Sequence, residues 1–105
     1  MVSKDDVLDF QGFDWDNGNS GKNLHSHDVT NGECEELFFS SPLLLADDPA
    51  HSTAELRVAA FGITNARRLL TAIFTKRGQL IRVISARDMN RRERESYEKA
   101  EEIQK

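Results

Sequence analysis

The sequence predicts an α+β fold, and three observations carry that expectation. Glu55 to Ile63, Arg68 to Lys76 and Leu80 to Ala86 are alternating or β-branched and aromatic runs, joined by links short enough for an antiparallel meander. Ahead of them Thr30 and Glu33 stand at the spacing of a capping box. Behind them Asn90 precedes Arg91, with Glu93 at the third helical position, a second helix start. Helices therefore flank a contiguous sheet instead of alternating with its strands.

Taken in order, residues 1–9 are polar and are expected to be flexible. Phe10 to Asp16 alternates aromatic with polar residues, the pattern of a short strand with one buried face. Asp16 or Asn17 then caps a helix reaching His27, against the cost of Gly18 and Gly21 in its interior, about 1 kcal/mol each. In that helix Asn23 and His27 share a face. The Thr30 helix buries Cys34, Leu37 and Phe38, with Val29 and Cys34 as a hydrophobic staple, and stops at Ser40 and Ser41 before Pro42. Leu43 to Leu45 reads as a strand and Asp47 to Thr53 as a loop. Turns at Thr64 to Ala66 and Arg77-Gly78 complete a four-stranded, mainly antiparallel sheet. In the last helix Arg91–Glu95, Arg94–Glu98 and Glu95–Lys99 have ion-pair spacing, and Tyr97, Ala100 and Ile103 form a thin apolar stripe.

At 105 residues the chain is expected to be one domain, 1–105. Its longest apolar run, Pro42 to Ala46, is too short to span a bilayer, and its first residues lack the apolar core of a signal peptide, so no membrane role and a cytoplasmic location are expected. The lone Cys34 allows no internal disulfide. Charge is distributed unevenly. Ten basic and two acidic residues lie between Arg57 and Arg94, a local balance of +8 in a chain of net −4. Such a block presents an electropositive surface that the overall balance hides.

Several short motifs occur in a specific order. These are Phe13-Asp-Trp-Asp16, Asn19, Lys22-Asn23, His27, Glu33-Cys-Glu-Glu-Leu-Phe-Phe39, Asp47-Asp-Pro49 with His51, Ile81-Arg-Val-Ile-Ser-Ala-Arg87, Arg91-Arg-Glu-Arg94 and Tyr97. Together, from about Phe13 to Tyr97, they resemble the BrnT toxins of bacterial type II toxin-antitoxin systems. The resemblance implies a RelE-like fold and a metal-independent ribonuclease that inhibits translation. It also implies neutralisation by a BrnA-like antitoxin with a ribbon-helix-helix domain, operator DNA being reached only through the toxin-antitoxin complex. Two positions depart from the pattern: the family usually has Lys before the histidine and often Gly after it, where this chain has Ser26 and Asp28.

RNA cleavage without a metal or other cofactor requires a group that titrates near neutrality and fixed cations around the phosphate. His27 is the candidate general acid or base; the alternative is a surface histidine bonded to Asn23. Lys22, Arg82 and Arg87 complete the candidate catalytic set. Arg82 interrupts an apolar strand, so it either pairs with an acid such as Glu36 or opens onto a phosphate groove. Arg87 has the opposite strand parity and joins the same cleft only if the chain bends. Arg57, Arg77, Arg91, Arg92 and Arg94 are candidate RNA-binding residues. The last three lie in the first turn of a helix, where cations oppose the macrodipole and an anionic partner relieves them. Phe13 and Trp15 are expected in the core. Asp48 with His51 falls short of a metal-ligand set, and no metal is expected. A binding module acting mainly as antitoxin partner is the competing reading; direct DNA binding by the final helix is opposed by Glu95, Glu98, Glu101 and Glu102.

Overall fold

The structure is a computed structural model that describes residues 9–48 and 55–104. Its elements are β1 (Gly12–Phe13), α1 (Lys22–His27), α2 (Asn31–Leu37), β2 (Leu44–Asp47), β3 (Val58–Ile63), β4 (Leu69–Arg77), β5 (Leu80–Asp88) and α3 (Arg91–Gln104). The α+β architecture follows the sequence expectation, with one correction: the sheet has five strands, in the order β1, β5, β4, β3, β2. The short N-terminal strand supplies the fifth, pairing parallel to β5 through Gly12 with Leu80 and Phe13 with Ile81. Aromatic alternation marked its buried face but carried no information on its partner. The other pairings are antiparallel.

One face of the sheet carries the core. Val58 and Ala60 of β3, Leu70, Ala72 and Phe74 of β4, and Ile81, Val83 and Ala86 of β5 pack with Val29, Cys34, Leu37 and Phe38. Ala60, Ala72 and Ala86 stand side by side across three strands, a row of small side chains that lets helices approach closely. Gly62 is required on the same face. A Cβ there would lie 2.3 Å from Ser40 Oγ and 2.8 Å from the Leu37 carbonyl. Phe13 and Trp15 pack against this core as expected, and Trp15 Nε1 donates to Glu35 at 2.7 Å.

The helix starts follow their sequence signals closely. Thr30 Oγ1 accepts from Glu33 N at 3.0 Å and Thr30 N donates to Glu33 at 3.0 Å, closing the capping box of α2. Asn90 and Glu93 make the same reciprocal pair at 2.9 Å each, capping α3. Along α3 the Arg91–Glu95 ion pair forms at 3.2 Å, but Arg94 turns back to the Met89 carbonyl at 2.8 Å instead of reaching Glu98. Tyr97 is fully buried and donates to the Pro42 carbonyl at 2.6 Å, whereas Ile103 is 85% exposed, so the apolar stripe ends at Ala100.

α1 departs most from expectation. It begins at Lys22, after Gly21 at φ 73°, and no side chain caps it. Asp16 is used earlier, folding a turn in which its carboxylate accepts from Gly18 N and its carbonyl from Ser20 N. Asn23 does not pair with His27 but turns inward, where its Oδ1 accepts from the Ala86 N–H at 2.9 Å. Asn19 Nδ2 donates to the Val83 carbonyl at 3.0 Å. These two side chains continue edge pairing along β5 where β1 stops, which fixes α1 beside that strand. Residues 1–8, expected to be flexible, and His51 with most of its loop lie outside the described residues.

Candidate functional site

The second face of the sheet and the C-terminal end of β5 hold most of the residues singled out from the sequence. Arg82 and Arg87, five apart in one strand, would ordinarily point to opposite faces. Between Ile73 and Phe74 the register slips: Ser85 opposes Ile73 and Val83 opposes Phe74, so Ile84 is an extra residue in β5. This bulge supplies the bend that Arg87 required. Arg82 therefore stands opposite Thr75 and Arg87 opposite Thr71, on one face and about 13 Å apart along the strand.

At the Arg82 end the guanidinium meets only acids among the described residues. Its guanidinium grips the Asp16 carboxylate with two bonds of 3.0 Å and lies 3.5 Å from Asp14. Glu36, the partner considered from the sequence, instead accepts from Asn65 N. Arg82 holds the Asp16 carboxyl below its usual value, assisted by the Gly18 N–H. Nearby, Arg77 pairs with Glu55 at 3.0 Å, and Arg57 adds to the positive field on Glu55. The side chain of Asp16 is 56% exposed, so it is a counter-ion that solvent and solutes can reach.

At the other end Arg87 is engaged by Glu93 through bonds of 2.8 and 3.0 Å. Glu93 also accepts from the Thr71 hydroxyl and from Asn90 N, so a single carboxylate ties β4, β5 and the start of α3 together. The Arg87 guanidinium leads the causes that lower its pKa. The next residue, Asp88, is held low chiefly by Arg68, with His27 and Arg94 adding to the same positive field. His27, Arg87 and Arg94 are thereby brought to one end of β5, while Arg82 and Arg77 lie toward its other end.

Arg68 sets that geometry. It donates to Asp88 at 2.8 and 3.2 Å, to Glu33 at 3.2 Å, to the Asp28 carbonyl at 2.7 Å and to the His27 carbonyl at 3.3 Å. The end of α1, the start of α2 and the end of β5 are pinned by one guanidinium. Charge counting placed Arg68 in the basic block but gave it no role, because its acids are remote in sequence. Asp28 sits at φ 58°, a left-handed conformation that glycine adopts without strain and Asp tolerates.

The remaining candidates are spread over exposed positions. Lys22 opens α1, and neither its side chain nor that of Arg92 has a hydrogen bond or ion pair among the described residues. Arg91 is 87% exposed beside Glu95. Arg92 lines a groove of about 380 Å³ with Leu44, Leu45, Phe61, Glu93 and Ser96. No cluster of three or more His, Cys, Asp or Glu side chains able to hold a metal occurs among the described residues. Nor is any helix there long and apolar enough to cross a membrane.

Chemically, the end of β5 offers an imidazole and guanidinium groups whose fields reach one carboxylate, Asp88, residue types suited to proton transfer beside a phosphate. No curated protein matches the chain closely enough to serve as a relative. A family model does match, over residues 15–93, and its description is the BrnT ribonuclease toxin of type II toxin-antitoxin systems. The matched span runs from Trp15 through Glu93 and so contains the Asp16–Arg82 pair, His27, Arg68 and the Arg87–Glu93 pair. The chain belongs to the BrnT family of ribonuclease toxins.

Proposed function

We propose that this toxin is a metal-independent endoribonuclease with a RelE-like fold that inhibits translation, its reaction centred on the C-terminal end of β5. The observation that carries this reading is the convergence of His27, Arg87 and Arg94 beside Asp88. The 2′-hydroxyl of the RNA is the nucleophile. His27 takes its proton, or delivers one to the departing 5′-oxygen, and the guanidinium groups stabilise the charge that accumulates on the phosphate. Lys22, Arg57, Arg77, Arg82 and Arg91 hold neighbouring phosphates. For Arg82 this requires phosphate to displace the exposed Asp16 carboxylate.

Membership of a type II family implies a protein antitoxin. A BrnA-like antitoxin with a ribbon-helix-helix domain fits that role and carries the complex to operator DNA. The reading places both events in the cytoplasm. A second reading has one observation in its favour. Arg82 and Arg87 are both engaged by carboxylates in the free chain, as expected of a catalytically weak protein that serves mainly to bind its antitoxin.

Incubation of purified protein with total RNA in the presence of a chelator separates the two. The nuclease reading expects fragments from the wild type, at least tenfold fewer from His27→Ala, and intermediate amounts from Arg82→Ala. Equal and negligible cleavage by all three, with antitoxin binding intact, establishes the second reading in its place.

A further inference from the structure

The groove lined by Leu44, Leu45, Phe61, Arg92, Glu93 and Ser96 lies outside the end of β5 to which the reaction is assigned and shares only Glu93 with it. It lies between β2 and the first two turns of α3. Register explains how it is built. Leu44 opposes Phe61, which opposes Thr71, which opposes Arg87, so these four form one row across the second face of the sheet. The first turn of α3 lies over the Arg87 and Thr71 end of that row through Glu93. At the other end Leu44 and Phe61 remain only partly buried. β2 is the last strand of the sheet and pairs only with β3 among the described residues, so the groove opens onto a strand edge.

We propose that this groove seats the antitoxin, which inserts an apolar side chain between Leu44 and Phe61 and places an acidic side chain against Arg92. The inference rests on the family's requirement for an antitoxin and adds the surface that receives it. Three properties select protein over RNA as the occupant. The walls are largely aliphatic and aromatic, which suits an apolar anchor. The carboxylate of Glu93 stands in the wall, where it disfavours a phosphodiester. Arg92 has no counter-ion among the described residues and sits at the helix start, where a cation opposes the macrodipole, so an incoming carboxylate relieves it. The edge of β2 that is unpaired among the described residues offers main-chain groups to the same segment, the geometry of strand addition.

The test titrates the cognate antitoxin into the purified full chain and into Arg92→Glu, Leu44→Asp and Glu102→Lys variants. A thermal melt of each variant verifies folding. Glu102 is exposed and lies beyond the groove. The proposal expects Arg92→Glu and Leu44→Asp each to weaken antitoxin binding at least tenfold and Glu102→Lys to change it less than threefold. It also expects the amides of β2 to gain protection from hydrogen exchange in the wild-type complex, a measurement independent of whether Leu44→Asp folds. Tight wild-type binding that Arg92→Glu leaves within threefold, with β2 unprotected, overturns the groove while the partner reading stands. If the antitoxin binds no variant and not the wild type, the partner reading falls and the groove with it. A short single-stranded RNA provides the last arm: loss of RNA affinity in Arg92→Glu with antitoxin affinity intact makes the groove an RNA subsite and refutes the proposal.

Discussion

Glu93→Gln is the most informative single change, because one carboxylate accepts from Arg87, Thr71 and the Asn90 backbone at 2.8 to 3.0 Å. The amide keeps one oxygen acceptor but turns an NH2 group toward the guanidinium. A hydrogen bond to a charged group contributes about 1.5–3 kcal/mol. Arg87 is 40% exposed and regains water when released, which reduces the loss. The expected destabilisation is about 2 kcal/mol, equivalent to a fall in Tm of roughly 10 °C for a domain of this size. The pH dependence gives an independent check. Arg87 depresses the folded-state pKa of Glu93 below its ordinary 4.5. The native state therefore binds fewer protons than the unfolded chain in that window. This stabilisation is present above about pH 4.5 and is lost as pH falls through the folded-state value. Glu93→Gln has no such contribution to lose, so the wild-type and variant melting temperatures should converge on acidification. A variant that melts within 2 °C of the wild type at pH 7, or a gap that persists unchanged at low pH, refutes the account of Glu93 as a charged tie.

Three further outcomes follow from buried contacts and are measured by simpler means. Gly62→Ala forces a methyl group against Ser40 Oγ and the Leu37 carbonyl. It should cost about 2–3 kcal/mol in denaturant unfolding, and wild-type stability would contradict that packing. Asn23→Ala leaves the buried Ala86 N–H without its acceptor, costing about 1–3 kcal/mol, and should accelerate hydrogen exchange at that amide. The Cys34 thiol, pushed up to about 12 by burial and by the nearby Glu33 and Glu35, should resist alkylation at pH 8 until denaturant is added; rapid native-state labelling would show that it is not buried.

The sequence was most legible where a signal is local. Both capping boxes depend on residues three apart, and they form at the expected positions. Strand order and the fifth strand were not legible in the same way, since a two-residue strand has no pattern long enough to name its partner. The start of α1 was misplaced because Asp16 carries two compatible uses, a helix cap or an Asx-type turn, and the turn forms, while its end at His27 is where the sequence put it. Arg82 was recognised as a cation needing an explanation, but its partners Asp14 and Asp16 lie over sixty residues away. The Ile84 bulge, which brings Arg87 to the same face, leaves no mark in the alternation of Leu80 to Ala86.

Counting charge along the chain overstated the open positive surface, and the pairing explains why. Besides Asp88 and Glu93 within it, the acids that answer the basic block are Asp14, Asp16, Glu33, Glu55, Glu95 and Glu101, all outside its limits in sequence but adjacent in space. What decides RNA binding is then the ease with which phosphate replaces each carboxylate. Asp16 and Asp88 are 56% and 62% exposed, and pairs with such well-hydrated acids contribute little net stability. Glu93 is 18% exposed and also caps α3, so releasing Arg87 sacrifices helix capping as well as an ion pair. On the nuclease reading, phosphate replaces Asp16 at Arg82 without loss of a helix cap, whereas at Arg87 it must also unseat the cap of α3. The proposed nuclease reading then expects RNA to be held first along the Asp16 end of β5 and to reach His27 by extension toward the start of α3.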